Sequence, residues 1–286
     1  MRERCPRELS ATLPRLPKGN GRTVRFIYCP HNERVGKGRQ KKPYIQRHYG
    51  QRANCRYINY FKVMDEFSYA HRDTSTPQEG ESKGVARFNK PHIPPCVQMV
   101  RERAFAREIP VASDETLCFL LTQLAAARPA RILELGTAVG ATSAAMLLAL
   151  PQAELVTVER DENFYAEATA NFEECGLSSR VDAICGDAGE VIERLSGQFD
   201  FIFMDCAKVQ YIKYLPRLKQ LLARGGVLIA DDVLLYGWAT GEAEVPKKRR
   251  MLAKHIEEYL AAVTADEELV TAVVRVGDGM AISVKK

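Results

Sequence analysis

No apolar run in these 286 residues approaches the roughly 20 that a bilayer-spanning helix needs, the longest uncharged one covering only 144–150. Residues 1–30 hold no continuous apolar stretch followed by a small-residue cleavage site, so the chain is expected to be soluble and cytoplasmic. The eight cysteines include no C-x-x-C pair, which argues against both a zinc knuckle and a disulfide framework. Histidine is scarce too: four of the five (31, 48, 71 and 92) precede the patterned part of the chain, and His255 falls in a late amphipathic segment. None is placed as a catalytic base. With 46% hydrophobic residues there is nonetheless enough apolar material for a sizeable core, and disorder throughout is excluded.

The net charge of +5 is unevenly spread. Residues 1–62 carry sixteen Lys/Arg against Glu3, Glu8 and Glu33, whereas the remainder carries 25 basic and 33 acidic residues. This first stretch, 1–63, lacks a period of 3.6 or 2, is broken by Gly-Asn-Gly and Gly-Lys-Gly, and reads as a flexible basic extension. It is a solvated tail, sequence upstream of a domain opened by Met64, or an arm with non-specific phosphate affinity whose tyrosines stack on bases. Residues 64–91, with Thr74-Ser-Thr-Pro77, read as a linker.

From about residue 92 strands alternate with helices, the pattern of a mostly parallel sheet covered on both faces. A helix at 114–127, capped by Ser113, precedes a first strand at 131–135. Strands follow at 154–159, 181–185, 199–204 and 227–230, with helices at about 141–150, 161–174, 188–195, 209–223 and 247–263. The end departs from this: strands at 269–276 and 280–284 flank Gly277-Asp278-Gly279, a hairpin turn. The expected domain spans 92–286.

Leu133-Glu-Leu-Gly-Thr-Ala-Val-Gly140 is a buried strand entering a glycine-bearing turn and a helix, where backbone N–H groups approach a ligand closely. Glu159, 23 residues after Gly136, ends the next strand, where a carboxylate accepts two hydrogen bonds from ribose hydroxyls. The pair points to an adenosine-bearing ligand. Ala138 and Ala141 stand where a dinucleotide loop would need glycine, which disfavours a nicotinamide cofactor. Asp187 ends the third strand, placed either to accept from an exocyclic amine or to cap the following helix. Asp205 follows the fourth strand, and Asp231 and Asp232 the fifth. These acids stand at carboxyl ends, where open α/β sheets bind ligands, and three carboxylates together suit Mg²⁺ or another hard divalent cation.

These residues, with Lys208 three positions beyond Asp205, resemble the class I S-adenosylmethionine-dependent, metal-dependent O-methyltransferases that include catechol and caffeoyl-CoA methyltransferases. Val233-Leu-Leu-Tyr-Gly237, Pro246-Lys-Lys-Arg-Arg250 and Val276-Gly-Asp-Gly-Met-Ala-Ile-Ser283 are similar to the bacterial tRNA 5-hydroxyuridine methyltransferases within them. The resemblance covers roughly 95–286 and implies a Rossmann-like seven-stranded sheet with a reversed C-terminal hairpin. It implies that Ala112, Glu134, Gly136 and Thr142 border the methionine part of S-adenosylmethionine, Glu159 its ribose, and Asp187 with Ala188 its adenine. Asp205 adjoins the cofactor and, with Asp231 and Asp232, holds the metal; the family's usual third ligand is Asn, so Asp232 makes this site more negative.

Methyl transfer from a sulfonium is an in-line displacement by a deprotonated oxygen. Lys208 is expected to take the proton if the nearby cation depresses its pKa. The branch resemblance implies a tRNA anticodon loop as substrate, 5-methoxyuridine at the wobble position as product, and a homodimer. Lys247-Lys-Arg-Arg250 is placed for phosphates, and Tyr236 or Trp238 for stacking on a flipped base. The alternatives are the same chemistry on a small catechol or hydroxycinnamoyl thioester, and a non-catalytic RNA-binding protein that uses the basic arm.

Overall fold

A computed structural model describes residues 87–286. The basic extension and all but the last five residues of the expected linker lie outside the described residues. The elements run α1 (Pro95–Phe105), α2 (Asp114–Ala127), β1 (Arg131–Leu135), α3 (Ala141–Ala149), β2 (Glu154–Glu159), α4 (Glu162–Glu174), β3 (Val181–Cys185) and α5 (Ala188–Arg194). Then come β4 (Phe199–Met204), α6 (Tyr211–Leu221), β5 (Leu222–Ala230), α7 (Arg250–Ala265), β6 (Leu269–Val274) and β7 (Met280–Lys285). Among the described residues no helix is long and apolar enough to cross a membrane.

The seven strands form one sheet in the order β3-β2-β1-β4-β5-β7-β6. The first five pair parallel, and β7 inserts antiparallel between β5 and β6. This is the expected Rossmann-like α/β architecture with a reversed C-terminal hairpin. The chain reverses its direction of travel across the sheet between β1 and β4, which opens a crevice at their carboxyl ends.

Strand alternation assigns each face its own core. Ile132, Phe201, Phe203 and Ile229 pack with Leu117, Leu120 and Leu124 of α2, with α3, and with Phe172 of α4. Their neighbours Leu133, Leu135, Ile202, Met204 and Leu228 pack on the other face with Leu215 and Leu218 of α6 and Ile256, Tyr259 and Val263 of α7. Two-sided burial explains why β1 and β4 are near-continuously apolar in sequence. Ser113 caps α2 by accepting from the Thr116 amide, and Asp161 caps α4 from Asn163 and Phe164, caps worth about 1 kcal/mol each.

Three sequence expectations shift. Helix α1 was not anticipated: only Val97, Val100 and Ala104 bury an apolar stripe, and its fourth buried residue is Arg101, which is bonded to Asp114 at 2.6 Å. The helix expected over 209–223 ends at Leu221, because Leu222 already pairs with Phe199 and begins β5 five residues before the expected strand. Residues Lys247–Arg249 form a single 3₁₀ turn rather than the start of the α-helix, which begins at Arg250.

Candidate active site

Gly136 makes the crevice possible. It sits at φ +104°, and a Cβ there would lie 2.0 Å from the carbonyl oxygen of Asp205, so only glycine lets β1 and β4 close up at their carboxyl ends. Behind it Glu134 is wholly buried, accepting from Thr157 at 2.6 Å and from Ser143. Its other oxygen has no partner, and burial pushes its carboxyl up to about 7 despite those two hydrogen bonds.

A cleft of about 320 Å³ opens over Gly136. It is lined by Glu159, Asp187 and Ala188 from the ends of β2 and β3, by Asp205 from the end of β4, and by Lys208, Asp232, Tyr236, Trp238, Arg249 and Asp278 from later segments. Glu159 is held by the amides of Ala138 at 2.8 Å and Asp161 at 2.9 Å, which fixes its carboxylate at the end of β2; burial raises its pKa. Asp187 is the cap of α5, accepting from Gly189 at 2.9 Å and Glu190, and it borders the cleft as well. The capping reading is met, and the same carboxylate borders the cleft.

Ala112 and Thr142 do not line the cleft. The carbonyl of Ala112 accepts from Arg101 at 2.8 Å, and Ile109 with Pro110 form that wall instead. Thr142 is half-buried on α3, whereas its neighbour Ser143 is the hydroxyl that reaches Glu134. One helical position is 100° of rotation, so a one-residue offset changes the face.

Lys208 joins the acids. Its ammonium lies 2.6 Å from Asp205 and 3.1 Å from Asp232. Asp231 is buried behind, accepting from the Asp232 amide at 2.9 Å. As the side chains stand, among the described residues no three His, Cys, Asp or Glu are grouped to hold a metal ion, and of the three acids Asp205 and Asp232 are bridged by the Lys208 ammonium. Their chemistry still suits a cation: burial, then repulsion from Asp205 and Asp232, drives Asp231 well above the usual carboxylate range. Hard oxygen donors in such mutual repulsion fit a divalent ion alongside or in place of the lysine.

Two opposed effects act on the lysine's own pKa. Burial alone would lower it, but Asp205, Tyr211, Asp232 and Asp231 outweigh burial and hold it well above the ordinary lysine value. Paired in this way, Lys208 keeps its charge against Asp205 and Asp232.

Sequence reasoning also missed Tyr211 and Asp278. The Tyr211 hydroxyl donates to the carbonyl of Met204 at 2.9 Å, with that of Asp231 at 3.3 Å, tying together the ends of β4 and β5 that carry the acids. Asp278 reaches the cleft from the turn before β7. Nothing local marks either residue, since the Tyr211 partners are the main-chain carbonyls of Met204 and Asp231, 7 and 20 positions away, and the Tyr236 amide bound by Asp278 is 42 positions away.

The chain is 33% identical to catechol O-methyltransferase of Niastella koreensis over 174 residues, 58% of this chain and 77% of the relative. It is 28% identical to caffeoyl-CoA O-methyltransferase of Populus kitakamiensis over 182 residues, 61% of this chain and 76% of the relative. In fold it is similar to the SAH-bound methyltransferase PaMTH1 of Podospora anserina, with a TM-score of 0.65 and 21% identity over 83% of this chain and all of that one. The SAH complex of an O-methyltransferase from Bacillus cereus gives 0.63 and 23% over 71% of this chain and 97% of that one. With a carboxylate fixed at the end of β2, a glycine-lined crevice and residues 96–286 matching the O-methyltransferase family model, the chain belongs to that S-adenosylmethionine-dependent family.

Proposed function

We propose that the chain methylates the 5-hydroxyl of 5-hydroxyuridine at the tRNA wobble position, giving 5-methoxyuridine. The observation that carries this reading is the lip of the cleft. Arg249 lines it, while Lys247, Lys248 and Arg250 are exposed beside Arg249. Tyr236 and Trp238 line the same cleft, their rings 5.3 Å apart. Cations for phosphates next to aromatic faces for an unstacked base are what an anticodon loop requires.

In this reading Glu159 takes the ribose hydroxyls and Asp187 with Ala188 the adenine, which sets the sulfonium methyl against the acceptor. Glu134 and Gly136 border the methionine end, and Ile109 and Pro110 close that side. The acceptor hydroxyl first releases its proton to solvent water, and the oxyanion then attacks the methyl carbon as the carbon–sulfur bond breaks and S-adenosylhomocysteine leaves. Lys208, held charged, stabilises the resulting oxyanion through a position fixed in advance by Asp205 and Asp232. Asp205, Asp231 and Asp232 would hold a divalent ion, whose Lewis acidity favours the deprotonated hydroxyl.

A second reading, a small catechol-type phenol as acceptor, is favoured by the activities in the names of the two relatives. Methyl-labelled S-adenosylmethionine with either 5-hydroxyuridine-bearing tRNA or a panel of catechols separates the two. Label in tRNA is expected, and label in the phenols alone overturns the tRNA reading.

A further inference from the structure

The segment after β5 carries its backbone in a conformation that side chains resist. Leu235 and Tyr236 are consecutive non-glycine residues at φ +49° and +58°, and Asp232 before them is at +55°. Such positions persist only where the surroundings impose them. Here the imposing element is the turn between β6 and β7. The Val233 amide donates to Gly279 at 3.0 Å and the Leu234 amide to the carbonyl of Asp278 at 2.9 Å. The Tyr236 amide, in the middle of the strained pair, donates to the Asp278 carboxylate at 2.7 Å.

Contact between the two segments is close. Gly279 sits at φ +86°, and a Cβ there would lie 2.1 Å from Leu234 Cγ, so the turn and the loop leave no space for any other residue. What the loop presents to the cleft is the pair Tyr236 and Trp238, edge to face at 60°. Tyr236 remains 48% exposed, its ring set edge-on to Trp238. The backbone of the loop determines where this pair sits.

We propose that Asp278 is a positioning residue for the acceptor side of the cleft, its carboxylate latching the loop so that Tyr236 and Trp238 form a wall against a planar acceptor ring. That the ring belongs to the methyl acceptor rests on the reading given above; the latch itself does not. The C-terminal hairpin thereby does more than complete the sheet. It sets the specificity wall from the opposite side of β5, while the cofactor end, built by β1 to β3, is independent of it.

Trp238 is the chain's single tryptophan, so its fluorescence reports this wall whatever the substrate proves to be. In the full chain, Asp278→Ala is expected to raise acrylamide quenching of Trp238 at least about twofold. The KM for 5-hydroxyuridine-bearing tRNA should rise about tenfold, as loss of one ordering hydrogen bond implies, with kcat and S-adenosylhomocysteine affinity near wild type. Asp278→Asn retains a carbonyl oxygen in the same place and should restore quenching and KM. Gly279→Ala, which displaces Leu234 and leaves Asp278 intact, should raise quenching like Asp278→Ala and serves where that variant does not fold.

Unchanged Trp238 quenching in both Asp278→Ala and Gly279→Ala overturns the latch. An Asn variant that behaves like Ala overturns the hydrogen bond as its cause, since charge would then be what matters. Failure of the wild type to methylate tRNA, with the quenching results as expected, sinks the substrate reading and leaves the latch standing.

Discussion

The phenol of Tyr211 donates to the main-chain carbonyl of Met204 at 2.9 Å, one residue before the acid that pairs with Lys208. It lies within the protein core, edge-on to Tyr259 at 5.6 Å, with the Lys208 ammonium 6.0 Å from its ring centre. The same hydroxyl reaches the Asp231 carbonyl, so one proton holds the two strand ends that carry all three acids.

Replacing Tyr211 by Phe keeps the packing and deletes that tie. The variant should lose about 1 kcal/mol of stability, lowering the melting temperature by about 2–4 °C. Methyl transfer should fall by at least about tenfold, because small displacements of positioned groups are costly. Thermal melts with initial rates check both, and unchanged rates would show the acids to be positioned without it.

Glu134 makes stability depend on pH in a defined direction. Its carboxyl is near 7 in the folded protein against 4.5 ordinarily, so the folded state binds the proton more tightly. Stability from this group is intact below about pH 4.5 and is lost as pH rises through 7, amounting to about 3 kcal/mol. Glu134→Gln removes the titration while retaining an acceptor for Ser143 and Thr157. The difference in denaturant stability between wild type and variant should therefore move in the variant's favour between pH 5 and about 8. A constant difference would contradict the assignment.

Lys208→Met removes the ammonium that the structure places against Asp205 and Asp232. Transfer should fall by about 10²–10⁴, as expected for loss of a charge aimed at a developing oxyanion, while S-adenosylhomocysteine affinity changes little. Chelation of the wild type should lower the rate by more than about tenfold, with recovery on adding Mg²⁺. Rates after chelator dialysis, with and without the added ion, measure this.

Charge at the lip should govern RNA affinity alone. Reversing Lys247, Lys248 and Arg250 to Glu should weaken tRNA binding and lower the slope of log affinity against log salt by about 2 for single-stranded contacts. Titrations at several salt concentrations test it, and a wild-type slope in the variant would place the RNA elsewhere.

Much of this site was legible in sequence because parallel strands announce themselves as apolar runs, and their carboxyl ends then fix where Glu159, Asp187, Asp205 and Asp231 must lie. Gly136 could be read for the same reason. What escaped depends on contacts across the sequence. The pairing of Lys208 with a second acid could not be read, because Asp232 is 24 residues away in a loop whose left-handed turn brings it back. Asp278 read only as part of a hairpin turn, since its partner amide is 42 positions upstream. Ser143 and Thr142 differ by one position on a helix, and sequence spacing alone does not choose between two adjacent hydroxyls.

Nucleoside mass spectrometry of tRNA from cells lacking this protein, complemented with the wild-type chain or with Lys208→Met, tests the central claim most directly. The account predicts that 5-methoxyuridine returns with the wild type, while 5-hydroxyuridine persists with the variant. Unmethylated 5-hydroxyuridine at equal levels in all three strains would contradict it.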